Sequence, residues 1–311
     1  MDLKLGTLIG ALVGDAAGST LEFYSNKITS DVVYKAMTMP GGGALNMAPG
    51  QITDDGELTL SLLSAIKNTS SYPVNEVSKA YIQWYKSNPF DMGRTCAKAF
   101  GFSGSYDEII NNSFKYNMFS EANGALMRCT PIPVIYSNLS YDKIADYAKL
   151  DAKLSHPNQV CQDANVLYCI AIAWLINNPG DSNGAINFVE DYKGICDTVK
   201  QWLEDSKKEV KNCHLNIGHV KHAFTLAFYF LRKRTNYETA IYETLLKGGD
   251  TDTNACIVGG IMGALHGLKA IPNYMKDPVI NFDCSIHNPT KSLLGYKRPA
   301  IYKASNIFSI C

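Results

Sequence analysis

Neither sign of charge prevails in this sequence: 29 Lys and Arg stand against 29 Asp and Glu, for a formal net charge of zero. A general nucleic-acid binder carries a basic excess, so that partner class is not expected. A small anionic ligand remains open, because a few local donors can bind phosphate on a neutral protein. Paired cysteines are also missing. The nine cysteines are odd in number and form no C-x-x-C. Cys161, Cys169 and Cys256 sit in apolar stretches, as free thiols of a reducing compartment do. The first apolar run, Leu5 to Val13, is too short to cross a bilayer, is preceded by Lys4 alone and is closed by Asp15. A cytoplasmic chain without a membrane partner is expected. Strand-like alternation is scarce, and no fixed-period repeat or charged, Ser- or Gly-rich linker divides the chain.

What is present is apolar material in helical rhythm. Hydrophobic residues make up 46% of 311, enough for one large core. The spacing predicts helices over roughly 3–22, 54–67, 75–87, 120–135, 140–154, 159–177, 185–205, 217–233, 237–247 and 253–268. Turn signals lie at Pro40-Gly41-Gly42-Gly43, Asn177-Asn178-Pro179-Gly180 and Asn288-Pro289. The expected architecture is all-α, one compact domain over 1–311 with a loop-rich tail after about residue 270. Two helices carry glycine every fourth residue: Gly6, Gly10, Gly14, Gly18, and Gly259, Gly263, Gly267. Each helical glycine costs about 1 kcal/mol relative to alanine. A row on one face therefore implies a close backbone neighbour. Both helices are expected at the centre, packed on each other or each against another element.

Two acidic clusters open apolar helices: Thr53-Asp54-Asp55, and Asp250-Thr251-Asp252-Thr253 after Gly248-Gly249. Each can be read as a helix cap, and Asp54 with Glu57 fits a capping box. Caps use one side-chain oxygen, however, and each cluster supplies several. Four carboxylates in one place repel unless cations neutralise them. An all-oxygen set suits Mg²⁺, Mn²⁺ or Ca²⁺ rather than Zn²⁺. An EF-hand is excluded: after Asp250, Asp252 and Asn254, its turn glycine is Ala255 and its bidentate acid is Ile261. Cys213, His214, His219 and His222 lack a zinc spacing. Ser64-x-x-Lys67 and Ser140-x-x-Lys143 lack the companion motifs of a serine nucleophile.

Five ordered motifs go further. Gly14-Asp15-Ala16-Ala17-Gly18 followed by Glu22, then Thr53-Asp54-Asp55, Asn123-Gly124-Ala125-Leu126-Met127-Arg128, Ser155-His156, and Gly248-Gly249-Asp250-Thr251-Asp252-Thr253 together resemble the ADP-ribosylglycohydrolases over most of the chain. The resemblance implies an all-α fold with two divalent cations, Mg²⁺ or Mn²⁺, held by Thr53, Asp54, Asp55, Asp250, Asp252 and Thr253. It implies cleavage of the bond between ADP-ribose and a modified protein side chain, most commonly arginine. Serine-linked and small ester substrates belong to other branches, and catalytically silent relatives share the fold. The family commonly continues T-D-D with Thr, where this chain has Gly56. The transition state of glycosidic cleavage carries positive charge on the sugar. On this reading Asp54 or Asp55 orients a water or acts as base, and Glu22 is a second carboxylate beside the scissile bond. Asn123, Gly124, Ala125 and Met127 form a substrate loop at a helix start, where free N–H groups suit oxyanions. His156 and Gly93, within Asp91-Met92-Gly93-Arg94, are expected to contact substrate. Gly41 to Gly43 are a candidate mobile loop over the site.

Overall fold

The computed structural model describes residues 1–286 and 294–310; the Asn288-Pro289 turn lies outside the described residues. Every regular element described is helical: α1 (Asp2–Gly18), α2 (Ser30–Ala36), α3 (Asp54–Ile66), α4 (Val74–Lys86), α5 (Arg94–Phe100), α6 (Tyr106–Asn117), α7 (Pro131–Ile135), α8 (Tyr141–Lys153), α9 (Gln159–Asn177), α10 (Ser182–Asp191), α11 (Asp197–Asp205), α12 (Val220–Lys233), α13 (Tyr237–Leu246), α14 (Thr251–His266) and α15 (Asn273–Asn281). Short 3₁₀ turns at Leu268–Ala270, Ala300–Tyr302 and Ala304–Ile310 complete them. The all-α expectation holds.

The two glycine rows face each other. A Cβ on Gly6 would lie 2.5 Å from the Gly263 carbonyl oxygen, and one on Gly14 would lie 2.5 Å from the Ala255 carbonyl carbon. Gly10 and Gly259 abut in the same way, and Gly18 abuts Thr251 and Asp252. Backbone therefore packs on backbone along the length of α1 and α14, and both helices are buried almost throughout. The glycine propensity loss is offset by the apolar surface that this approach closes off. Helix α9 is 19 residues long and apolar enough to cross a membrane, but its most apolar stretch is 83% buried in the protein. All eight described cysteines are free thiols.

Several expected boundaries change. Residues 120–130 are turns and bridge, and helix appears only at Pro131–Ile135. Pro131 and Pro133 lack the N–H groups that would bond back into a preceding helix. The predicted 185–205 helix divides into α10 and α11 around Gly194, whose φ is +78°. Helix α1 stops at Gly18, short of Glu22. The tail is more ordered than expected: it contains α15, and Arg298 is buried against α3.

Candidate active site

Both acidic clusters stand at helix starts, yet neither caps its own helix. Thr53 is the N-cap of α3 and Asp250 the N-cap of α14, and neither makes a side-chain cap hydrogen bond. The Asp54/Glu57 capping box does not form. Glu57 instead accepts from Arg298 Nε (2.7 Å), Arg298 Nη2 (2.8 Å) and Trp84 Nε1 (2.9 Å). The start of α3 is capped from another helix: Asp15, on α1, accepts from the Thr53 N–H (3.0 Å), the Thr53 hydroxyl (2.9 Å) and the Gly56 N–H (2.9 Å). This explains Gly56. A Cβ there would lie 2.7 Å from Asp15 Oδ2 and 2.8 Å from Ile52 Cδ1, so the carboxylate and Ile52 fill the space a threonine would need.

Freed from capping, the carboxylates converge. Oxygens of Asp15, Asp55 and Asp252 lie within 4.8 Å of one another, and so do oxygens of Glu22, Asp250 and Asp252. Asp252 is shared. Asp55 Oδ2 accepts from the Thr253 hydroxyl (3.3 Å) and lies 3.1 Å from the Thr53 hydroxyl, whose single hydrogen it shares with Asp15. Asp54 Oδ2 accepts from the Gly93 N–H (3.0 Å), and Asp91 lies beside it. Asp250 Oδ2 accepts from Asn123 Nδ2 at 2.7 Å. The two stretches expected to hold ligands thus come together, although nearly two hundred positions separate them; Asp54 stands outside both three-carboxylate groups and lines the cavity. Asp15 and Asp91, quoted within their motifs but given no role there, join them. The signal for Asp15 was a lone acid inside an apolar, glycine-rich helix.

The electrostatics are those of a cation site. Burial, with neighbouring carboxylates adding to it, pushes Asp54, Asp55 and Asp252 well above the usual carboxylate range. Burial holds Asp15 at about 7, and burial with the Asp91 charge holds Glu22 at about 8. Asp55 Oδ1 and Glu22 Oε2 are buried with no hydrogen-bond partner among the described residues. Unpaired buried carboxylates are costly, and an all-carboxylate set with spare lone pairs fits hard divalent cations. The acidic cluster is able to bind metal.

Beside the acids opens a cavity of about 630 Å³. Glu22, Asp54, Gly93, Asn123, Gly124, Met127, His156, Asp250, Asp252 and Thr253 line it, as do Phe23, Asp91 and Cys96. Three expectations are corrected. Ala125 is 1% exposed and packs behind the wall. Asn123 and Gly124 lie in a turn rather than at a helix start: the Leu126 and Met127 N–H groups bond back to the Asn123 carbonyl, and the Asn123 N–H bonds the Gly218 carbonyl. Asn123 spends its amide on Asp250 and so positions that carboxylate. Gly41 to Gly43 do not line the cavity; the Gly42 and Met47 backbones pair, and Gly43 abuts Thr20. The rejected zinc cluster is also dispersed: His219 bonds Glu121 (2.8 Å) and His222 bonds the Leu215 carbonyl (2.7 Å).

Comparison with known proteins gives the same reading. The family profile described as ADP-ribosylglycohydrolase matches residues 2–298. The protein named "Putative ADP-ribosyl glycohydrolase L543" of Acanthamoeba polyphaga mimivirus is 32% identical over 297 residues, with 88% of this chain and 89% of that protein covered. The ADP-ribosyl-[dinitrogen reductase] glycohydrolase of Rhodospirillum rubrum is 26% identical, with 88% of each covered. A solved structure titled "ADP-ribosylglycohydrolase-related protein complex" superposes with a TM-score of 0.74 at 19% identity, covering 99% of this chain and 98% of that one. An all-helical fold, two acid-bearing helix starts brought together beneath a cavity, and a profile match along nearly the whole chain make this protein a hydrolase of the ADP-ribosylglycohydrolase family.

Proposed function

We propose that the chain hydrolyses the N-glycosidic bond between ADP-ribose and a modified arginine side chain of a protein, using two divalent cations, Mg²⁺ or Mn²⁺. The observation that carries this reading is the pair of carboxylate groups, Asp15/Asp55/Asp252 and Glu22/Asp250/Asp252, sharing Asp252 at the floor of the cavity. Thr53, Asp54, Asp55, Asp250, Asp252 and Thr253 would hold the ions. Asp15 locks the α3 end of the site and Asn123 the α14 end. The arginine linkage is supported by the relatives' names, which include ADP-ribosylarginine hydrolase Tri1 of Pseudomonas putida at 22% identity. It is supported too by the cavity's acidic lining, Glu22, Asp91 and Glu121, which favours a cationic guanidinium.

When bound, the ions would neutralise the carboxylates, fix the sugar by its hydroxyls and acidify a water. The chain's own groups do the rest. Asp54 faces the cavity, with one oxygen pinned by the Gly93 N–H, and orients the attacking water and takes its proton. Glu22, with Oε2 unpartnered, is the second carboxylate and exchanges a proton with the departing nitrogen. His156, Gly93, Gly124 and Met127 contact the rest of the substrate.

The test is release of ADP-ribose from arginine-modified protein. Asp55→Ala and Asp252→Ala should each reduce it by roughly 10³-fold, the scale of charge stabilisation by bound metal. Full activity in either variant removes the mechanism. A parallel panel of serine-linked and acetyl-linked ADP-ribose reads the linkage, and binding of ADP-ribose with turnover of none of the three would mark a silent relative.

A further inference from the structure

His156 is fully buried, yet it is among the residues that line the cavity. Its Nε2 has no hydrogen-bond partner among the described residues. Its Nδ1 lies 2.8 Å from Ser155 Oγ, and Ser155 Oγ accepts from Arg128 Nη1 at 2.7 Å. Arg128 cannot move aside. Its Nε bonds Asp151 Oδ2 (3.0 Å) and its Nη2 the Asp151 carbonyl (2.9 Å). Its guanidinium also lies 4.6 Å from the Tyr81 ring centroid. Asp151 is held in turn by the hydroxyls of Tyr72 (2.8 Å) and Tyr81 (2.7 Å).

These contacts assign a proton. A serine hydroxyl has one hydrogen and two lone pairs, whereas arginine only donates. The Arg128 N–H therefore occupies a lone pair of Ser155, and the serine hydrogen is left for His156 Nδ1. A neutral imidazole accepting at Nδ1 carries its hydrogen on Nε2. The opposite tautomer would turn the serine hydrogen toward the Cys96 sulfur, its other neighbour and a weak acceptor. Burial and the Arg128 charge hold His156 well below the ordinary imidazole value, so the ring stays neutral. The space over the ring is kept by Gly124, where a Cβ would lie 3.0 Å from His156 Cε1 and 3.2 Å from Nε2.

We infer that Arg128 and Ser155 are positioning residues that lock His156 as the neutral Nε2–H tautomer, giving the cavity one fixed donor for an oxygen of the nucleoside diphosphate ribose. The identity of that oxygen rests on the ADP-ribose reading; the tautomer does not. The test is the imidazole ¹⁵N spectrum of the ligand-free full chain, with His156 assigned by its loss in His156→Gln. The expected result is a protonated Nε2 and an unprotonated Nδ1. Ser155→Ala should shift the spectrum toward a mixed tautomer and weaken ADP-ribose binding about tenfold, the scale of one hydrogen bond. Ser155→Thr, which keeps the hydroxyl, should restore both. A hydrogen on Nδ1, a cationic ring, or a Ser155→Ala variant with unchanged spectrum or unchanged ADP-ribose affinity overturns the assignment. If the parent spectrum is as expected and the parent binds no ADP-ribose, the lock stands and the reading of the cavity's ligand fails.

Discussion

A single methyl group tests whether the glycine rows serve the site as well as the fold. In Gly14→Ala the new Cβ would lie 2.5 Å from the Ala255 carbonyl carbon and 2.9 Å from the Cys256 nitrogen, where ordinary contact begins at 3.4 Å. The Ala255 carbonyl oxygen is nearer still, so the helices must part locally by more than 0.9 Å, the difference between 3.4 and 2.5 Å. Both obstructions are backbone, so no side chain can swing away. Overpacking of this kind costs about 1–3 kcal/mol or more, against a helix-propensity gain of at most about 1 kcal/mol. With rigid partners the upper end applies, leaving a net loss of about 2 kcal/mol. At roughly 2 °C per kcal/mol for a large chain, the melting temperature falls by about 4 °C. The position matters as much as the magnitude. Gly14 precedes Asp15, and Ala255 follows Asp252 by less than one turn, so the separation falls across the acidic cluster. Gly6→Ala meets the same kind of backbone, 2.5 Å from the Gly263 oxygen, but about 12 Å further along α1. Thermal unfolding combined with Mn²⁺ titration should therefore show both variants destabilised and Gly14→Ala alone weakened in metal binding. A Gly14→Ala variant as stable as the parent would refute the packing argument. Equal metal affinity in the two would refute its link to the site.

Other consequences can be measured on the same footing. Arg298→Ala strands Glu57 in the interior, where the pair is 4% and 2% exposed; it should cost about 3–5 kcal/mol in denaturant unfolding. Asp252→Asn removes a buried charge that the metal-free chain cannot pair, and should raise the melting temperature in chelator while lowering it relative to the parent in Mn²⁺. The pH dependence follows from Asp15 and Glu22, whose folded values of about 7 and about 8 exceed the ordinary 3.8 and 4.5. The folded chain therefore keeps protons that the unfolded chain has released, and stability without metal is lost as pH rises from about 4 to 8. Melting curves in chelator should fall across that window and fall less with Mn²⁺.

Much of this was legible in the sequence where the pattern was periodic or chemically redundant. Glycine every fourth residue announced a close helix pair, and the structure supplied only the partner. Two clusters with more carboxylates than a cap needs announced a charged site. What stayed hidden was set by tertiary contact. Nothing local says that Asp15 caps α3 from another helix, that Glu57 turns away toward Arg298, or that Asp91 reaches Asp54. The apolar run over 120–135 imitates a helix because Leu126, Met127, Ile132 and Val134 are spaced like one; the prolines and the pairing of Ala122 with His219 decide otherwise. Helices α2, α5, α6 and α15 escaped notice because they are short, from 7 to 12 residues, and owe their stability to packing rather than propensity.

The most direct measurement is electron paramagnetic resonance of Mn²⁺ titrated into the metal-free chain, with Asp252→Ala alongside. Two ions per chain with an exchange-coupled signal, and loss of that signal in the variant because both carboxylate groups share Asp252, is the predicted result. Absence of binding, or an unaltered two-ion signal in Asp252→Ala, would contradict the account.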